Sequence, residues 1–433
     1  MNVLLIGNGA REHVIAEALN RSPQRPRIFA YMSTNNPGIV AFAHSTVIGK
    51  YDDLDRIKHF AELAKPEFAF IGPEAPLGYG VADILEDMGV PCVGPRKQLA
   101  QLETSKAFAR ELLAKHNIPG NPKFKVFTEE AGINTFLEEL GDFVVKADGL
   151  HGGKGVKVGG EHLDSVEEAV TFAKESLATD GKVVIEEKLV GEEFSLMAFV
   201  DGTTVRNMPC VQDHKRAYEG DTGPNTGGMG SYSAADHKLP FLTDDDISQA
   251  KKINQAVCDA ITKEHGSYHG IMYGGFMATK DGVKLIEYNA RFGDPEAMNV
   301  LPILQTDFVA ICQAIVQEKL AGLPIDFRNE ATVCKYVVPK GYPDTPVKGE
   351  PLEIVGDPEG VNIYYAAVNE ENKELYMTGS RAIGVVGMAS TLADAEHVAQ
   401  SGVECIKGNV FSRKDIGTAA LIQQRIQHMQ ELR

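Results

Sequence analysis

The sequence predicts a multidomain protein of mixed class, α/β at its N-terminal end and α+β beyond it. Three observations carry that prediction. Strand and helix patterns alternate through roughly the first hundred residues, the middle of the chain turns to hairpin-rich β pattern, and the last section mixes short strands with an amphipathic helix. With 433 residues, 43% of them hydrophobic, the chain can bury more than one core.

Each element follows from its pattern. "VLLI" (3–6) reads as a short buried strand, "REHVIAEALN" (11–20) has apolar residues at helical spacing, and "RIFAYM" (27–32) reads as a second strand. "EFAFIG" (67–72), a helix over "GYGVADILEDMG" and "VPCVG" (90–94) continue the alternation. Such alternation implies an open parallel sheet with helices on both faces, ending near Gln101. A helix over "SKAFARELLAKHNI" stops at Pro119 and the "PGNP" turn. Then come β-rich segments, "DFVVKADG", "GVKVGG", "KVVIEEKLVGEEFSLMAFVDG" and "YGGFMATKDGVKLIEYNAR", with hairpin turns at Asp201-Gly202 and Asp281-Gly282. Helices are expected at about 164–178 and 244–265. Beyond Leu323-Pro324 the strands "ATVCKYVVP", "NIYYAAV" and "RAIGVVG" precede a helix over "TLADAEHVAQSGVECI".

Composition narrows the function classes. Lys plus Arg total 43 against 60 Asp plus Glu, a formal charge of −17. That balance argues against duplex nucleic acid or an anionic membrane as partner, so a phosphorylated substrate would need a local basic pocket. The six cysteines form no CxxC pair, which suits a reduced compartment. The start of the chain lacks a signal-peptide pattern and no apolar run approaches membrane-spanning length, so a cytoplasmic location is expected.

"KADGLHGGKGV" (146–156) crowds glycine and lysine as phosphate sites do, since glycine lets backbone N–H groups approach an anion. It is not a P-loop. Three residues rather than four separate Gly149 from the Gly-Lys pair, Gly155 stands where Ser or Thr would hold a metal, and the loop joins strand to strand. A mobile lid over a triphosphate, with Lys154 near its tip and Lys146 fixed on the preceding strand, fits better; a surface hairpin with solvated lysines fits the same residues. "VVIEEKLVGEE" (183–193) suits an adenine slot read by backbone around Glu187 and Leu189, with Glu193 on the ribose, or else a solvated acidic strand end. In "LIEYNARFGDPE" (285–296), Glu287 and Asn289 share one face of a strand, with Arg291 following. Two oxygen ligands completed by phosphate and water suit Mg²⁺ or Mn²⁺, and Arg291 suits charge developing on a transferred phosphoryl group. A purely structural strand remains the alternative.

Set together, Lys106, Lys146, the 149–155 loop, "IEEKL" and "IEYNAR" resemble the ATP-grasp superfamily in order and spacing. "GNGAREH", "GPEAPLGYGVAD", "DHKRAYEGDTGPNTGGMGSYS", "EYNARFGDPE" and "TGSRAIGVVG" further resemble the phosphoribosylamine–glycine ligase family, from Gly7 to near Gly417. No further synthetase domain follows, so a monofunctional chain is expected. Ala10, His151-Gly152, Ala297-Met298 and "TGSR" depart from the commoner family pattern, none of them at a charged position given a role here.

The resemblance implies an N-terminal pre-ATP-grasp domain (1–101), an ATP-grasp domain of two α+β subdomains (102–325, lid about 120–190) and a small C-terminal α+β domain (326–433). It implies ATP-dependent ligation of glycine to 5-phosphoribosylamine through glycyl phosphate, giving glycinamide ribonucleotide, ADP and phosphate in purine biosynthesis. Lys106, Lys146, Gly153, Lys154, Gly155, Glu186, Glu187, Leu189 and Glu193 would hold ATP, and Glu287 and Asn289 the metal. Arg291, Lys154 and Asp213 would assist catalysis. Gly9, Arg11, Glu12, Glu74, Asp213, Lys215, Arg216, Asn225, Gly228, Arg291, Asp294 and Arg381 would line the glycine and phosphoribosyl sites, Gly9 at a helix N-terminus that favours anions. A monomer or weak homodimer acting on small molecules alone is expected.

Other function classes fit less well. A dinucleotide-dependent oxidoreductase needs a small residue at position 12 and an acid ending the second strand; the chain has Glu12, and Ser33-Thr34-Asn35-Asn36 after "RIFAYM". A nucleotide sensor has no need of Lys146, Glu287, Asn289 and Arg291 together. Another ATP-grasp carboxylate–amine ligase, with a different acid or amine, is the nearest alternative.

Overall fold

A computed structural model describes residues 1–152, 154–356 and 358–433. Five parallel strands, β1 (Asn2–Ile6), β2 (Arg27–Met32), β3 (Ala43–Ile48), β4 (Phe68–Ile71) and β5 (Cys92–Val93), form the first sheet in the order β3-β2-β1-β4-β5. Helices cover both faces, which is why Val3, Leu4, Leu5 and Ile6 are all buried and β1 reads as a continuous apolar run. The chain leaves β1 toward β2 on one side and meets β4 on the other. The crevice beyond the carboxyl ends of β1 and β4 is therefore the topological switch point where open α/β sheets bind ligands. The sequence pattern did not show β3 or the helices Pro37–Phe42 and Leu54–Ala64. β3, "AHSTVI", is an edge strand with no fully buried residue, so it carries no apolar signature.

A second body has its own core. Strands β6 (Phe124–Phe127), β7 (Phe143–Ala147), β8 (Val156–Val158) and β9 (Val183–Glu187) pair antiparallel in the order β6-β9-β7-β8. Phe127, Phe136, Leu137, Phe143, Val145 and Ile185 form a separate apolar cluster beneath the helices Ile133–Leu140 and Val166–Asp180. A sheet with a private core can shift as a unit without breaking the main one.

The chain continues through β10 (Glu192–Asp201), β11 (Val205–Asn207), β12 (Gln212–Asp213), β13 (Arg216–Tyr218), β14 (Thr222–Asn225), β15 (Gly230–Ser233), β16 (His269–Thr279) and β17 (Gly282–Asn289). Strands β11-β10-β16-β17 make an antiparallel sheet, and β13 with β14 makes an isolated hairpin. The helix Asp244–His265 packs on this sheet. Thr243 and Asp246 form its capping box, and the acids of its first turn complement the helix dipole.

The last section adds β18 (Ala331–Pro339), β19 (Pro351–Ile354), β20 (Val361–Tyr365), β21 (Val368–Glu371), β22 (Glu374–Met377), β23 (Ile383–Ala389) and β24 (Ile406–Gly408), with helices Leu392–Glu404 and Ala419–Leu432. A sheet runs in the order β12-β15-β18-β23-β20, so β15 and β18 join the chain across the division at 325/326 that the sequence suggests. Strands β21-β22-β19-β24 form a smaller sheet. All six cysteines are free, five of them buried. Among the described residues no helix is long and apolar enough to cross a membrane.

His13 docks the last section onto the first. Its ring lies parallel to Tyr365 at 5.6 Å and edge-on to Tyr364 at 5.3 Å, and Nδ1 accepts the Tyr365 amide at 2.9 Å. Burial pushes its pKa down to about 4, from an ordinary 6.5. The folded protein therefore keeps the ring neutral while the unfolded chain protonates it. Stability from this group is fully present above pH 6.5 and is lost as pH falls through 4, on the order of 3 kcal/mol. We expect the melting temperature to drop across that window, with a shallower drop for His13→Asn.

Candidate active site

The site forms where the switch point of the first sheet, the end of β17 and the inner edge of the β6–β9 sheet meet. At the switch point Glu12 turns inward. Its Oε2 accepts the Gly9 amide at 2.7 Å and its Oε1 the Arg11 Nε at 2.6 Å. Gly7, at φ +134°, lies so close that a Cβ there would meet the Glu12 side chain. The amide at Gly9 that the sequence offered to an anion is thus taken by Glu12. Arg11 is buried, donates to the Phe292 carbonyl at 3.3 Å and stands 3.7 Å from Glu74.

Arg291 joins this corner to β17. Its guanidinium lies 2.8 Å from Glu103, 3.3 Å from Glu74, and donates to Asn289 Oδ1 at 3.2 Å and to the Phe292 carbonyl at 3.1 Å. Burial opposes ionisation of Glu74, but Arg291 and Arg11 outweigh it and hold its pKa at about 2. Glu103 goes the other way: burial raises it despite Arg291. Glu103 also accepts the Ala290 amide at 2.7 Å, fixing the backbone beside Arg291. Sequence reasoning missed Glu103, because "QLET" carries no motif and nothing local to it foretells a partner near residue 290.

Lysines crowd the metal-ligand candidates. Lys146, on β7, donates to the Ile286 carbonyl at 3.0 Å and pairs with Glu186, whose carboxylate also takes the buried Arg110 at 2.7 and 3.1 Å. Glu186 is thereby placed behind Lys146, as the group that holds it. Burial lowers the Lys146 pKa, partly offset by Glu186. Lys106 opens the helix Lys106–Lys115 and donates to the Gly149 carbonyl at 2.6 Å, at the root of the glycine loop. Burial opposes ionisation of Glu287, yet Lys215, Lys146, Lys106 and Arg291 hold its carboxyl below the usual range. A carboxylate kept charged beside an amide oxygen is a donor set that fits a hard divalent cation. Among the described residues no cluster of three or more His, Cys, Asp or Glu side chains is arranged to hold a metal. A cation at Glu287 and Asn289 would need further oxygen ligands from phosphate and water.

Along the loop, Lys154 is exposed and Gly155 buried, with a Cβ at Gly155 meeting the His151 ring. His151 is tied to Asp180 at 2.8 Å. Gly153 lies outside the described residues. At the end of β9, the Glu187 carboxylate accepts the Lys123 amide at 2.8 Å and Leu189 is half-buried. Glu193 is exposed, 3.4 Å from Lys215 Nζ.

A narrow cleft runs between Glu193, Ser195, Asp213, Lys215, Tyr273 and Glu287. Burial and the charge of Glu296 push the Asp213 pKa up, and burial raises that of Glu296, whose Oε1 accepts the Tyr273 hydroxyl at 2.8 Å. Asp213, half-buried, and Glu296, buried, both feel the Lys215 charge, which favours their ionised forms against those shifts. Glu296 and Tyr273 were not legible as site residues. Gly228, at φ +109°, presses on Asp213: a Cβ there would stand 2.6 Å from its Oδ1. Arg381 reaches in from the last section, donating to the carbonyls of Gly227 at 2.7 Å, Gly228 at 3.1 Å and Asp294 at 3.0 Å. It stacks over Tyr336 at 4.5 Å, and Tyr336 donates to Asp294 Oδ1 at 2.6 Å. Arg216 turns away from the cleft toward Glu161, with Asn225 opposite it in the hairpin. A larger depression of about 490 Å³, between residues 91–99 and 265–269, contains none of the motif residues.

Family models for phosphoribosylglycinamide synthetase match three stretches: its N domain over residues 1–103, its ATP-grasp (A) domain over 104–297 and its C domain over 332–419. The chain is similar to the phosphoribosylamine–glycine ligase of Methanocaldococcus jannaschii, 53% identical over 447 residues and covering 100% of both chains. It is 52% identical over 434 residues to that of Methanosarcina acetivorans, covering 100% of this chain and 98% of the other. Among solved structures, Thermotoga maritima phosphoribosylamine–glycine ligase superposes with a TM-score of 0.81 at 29% identity, covering 96% of this chain and 100% of that one. The biotin carboxylase domain of Hydrogenobacter thermophilus 2-oxoglutarate carboxylase, solved with MgADP and bicarbonate, shares the fold at a TM-score of 0.72 and 16% identity, with 99% and 93% covered.

Proposed function

The chain belongs to the phosphoribosylglycinamide synthetase family, also named phosphoribosylamine–glycine ligase, and on that premise we propose how its cleft carries out the reaction. It is an ATP-dependent carbon–nitrogen ligase of purine biosynthesis, joining glycine to 5-phosphoribosylamine to give glycinamide ribonucleotide, ADP and phosphate. The observation that supports the site assignment best is the meeting of two sheets at one point. Lys146 of β7 reaches the Ile286 carbonyl of β17 at 3.0 Å, one residue before Glu287.

ATP lies between these sheets, with the base against the Glu187 and Leu189 backbone, the ribose at Glu193 and the phosphates at Lys106, Lys146, Lys154 and the loop amides around Gly153 and Gly155. A divalent ion, Mg²⁺ or Mn²⁺, held by Glu287 and Asn289 would supply charge neutralisation at the phosphate oxygens. Asp213 and Glu296 receive the glycine ammonium, leaving its carboxylate toward the γ-phosphoryl group. Attack there forms glycyl phosphate and releases ADP; the amine then forms the C–N bond as the C–O bond to phosphate breaks and the nitrogen loses a proton. Arg291 and the lysines neutralise charge as it moves, so the protein acts mainly by positioning and electrostatics. Gly9, Arg11, Glu12, Glu74, Gly228, Asp294 and Arg381 frame the phosphoribosyl side. The acidic surface suits small-molecule substrates alone, and we place the chain in the cytoplasm as a monomer or weak homodimer.

The test is phosphate release with ATP, Mg²⁺ and a panel of amino acids, with and without phosphoribosylamine. Release only when glycine and that amine are both present supports the assignment, and equal release with any amino acid overturns it. Asp213→Ala is expected to raise the KM for glycine about tenfold or more while ATP binding persists, from loss of a charged contact. Unchanged glycine kinetics would remove Asp213 from the acid site.

A further inference from the structure

Lys215 and Arg216 are adjacent but point to different bodies. Lys215 faces the cleft, 3.4 Å from Glu193 and 4.0 Å from Glu287. Arg216 Nη2 donates to Glu161 Oε2 at 2.5 Å, and its Nη1 to the Gly223 carbonyl at 3.0 Å. Glu161 stands just after β8, the edge strand of the β6–β9 sheet. Its other oxygen lies 3.0 Å from Lys188 Nζ, and Lys188 sits between Glu187 and Leu189 at the end of β9. One carboxylate therefore touches two cations, each the sequence neighbour of a residue placed at the site: Lys188 beside Glu187 and Leu189, Arg216 beside the cleft residue Lys215.

The hairpin that carries Arg216 is braced from behind. Arg413, wholly buried, donates to the Arg216 carbonyl at 3.0 Å and to Asp221 at 2.9 Å, and Arg425 of the helix Ala419–Leu432 pairs with the same aspartate. Glu161 thus meets an arginine whose backbone is anchored to the body of the molecule, while Glu161 itself belongs to the sheet with the private core.

We propose that Glu161 is a positioning residue, which sets the β6–β9 sheet against the braced β13–β14 hairpin so that Lys146 and Lys215 close on the same cleft from its two sides. The inference rests on the nucleotide cleft assigned above. The side chains involved are a quarter to two-fifths exposed, Arg216 at 25%, Lys188 at 28% and Glu161 at 39%. Exposed pairs add little to folding stability, so the effect of breaking this one falls on the docked geometry of the sheet. Burial opposes ionisation of Glu161, but Lys188 and Arg216 outweigh it and lower its pKa, keeping the contact charged.

The experiment is a double-mutant cycle on the full chain, Glu161→Gln, Arg216→Gln and both together, with steady-state kinetics for each substrate and thermal melting. The expected result is a KM for ATP raised roughly 3- to 30-fold in either single variant. The double variant should be no worse than the singles, Glu161→Asp should recover part of the loss, and the melting temperature should hold. An unchanged KM for ATP in Glu161→Gln, or additive losses, overturns the proposal. So does a rise confined to the KM of phosphoribosylamine in Arg216→Gln alone, which would mark Arg216 as a direct substrate contact. A matching loss of thermal stability in Glu161→Gln would mark a structural prop and overturn it as well. Failure of the underlying cleft assignment shows separately, as no ATP-dependent phosphate release by the unaltered protein.

Discussion

Arg291→Gln is expected to lower kcat by about 10²- to 10³-fold, the usual cost of removing one preorganised charge stabiliser from a reaction centre. Lysine is not expected to restore it. The guanidinium serves Glu103, Glu74, Asn289 and the Phe292 carbonyl at once, and an ammonium group cannot span that fan of partners. The same substitution leaves Glu103 buried without its cation, which costs about 3–5 kcal/mol of folding stability when such a charge stays ionised. Adding Glu103→Gln separates the two effects. Urea denaturation of the double variant should recover much of the stability while kcat stays low. Recovery of kcat along with stability would show that Arg291 is a structural ion pair and not a participant.

Glu287→Gln is expected to be nearly as damaging, through the cation. The carboxylate is the anionic member of the proposed ligand pair, and Lys215, Lys146, Lys106 and Arg291 all act on it. Exchanging it for an amide weakens divalent-ion binding and leaves a surplus of positive charge in the cleft. We expect kcat at saturating ATP to fall at least about 10²-fold and the half-saturating Mg²⁺ concentration to rise. A Mg²⁺ titration of phosphate release measures both. An unaltered midpoint would take Glu287 out of the metal site, whatever happens to kcat.

The legible parts of this protein were those whose signals are local. β1 and β4 announced themselves as apolar runs because a parallel strand is buried on both faces, and a helix was expected at about 244–265, where Asp244–His265 forms. The loop after Lys146 and the Glu287, Asn289 and Arg291 triplet stood out because close phosphate approach and paired oxygen ligands restrict residue type and spacing over a few positions. β3 did not, since an edge strand without a buried face has no periodic constraint.

What the amino-acid order determined by itself was the kind of chemistry: an acidic chain with a local set of lysines, a glycine loop between strands, and candidate oxygen ligands on one strand face. Tertiary structure alone decided which of those groups act on each other. Glu103 reaches Arg291, Glu296 backs Asp213, Arg381 closes over Gly228, and Glu161 takes the arginine that the sequence had placed with the substrate. The reason is range. Backbone conformation and hydrogen-bond geometry are set within a few residues, whereas a charge responds to whatever the fold brings within a few ångströms, here from more than fifty residues away.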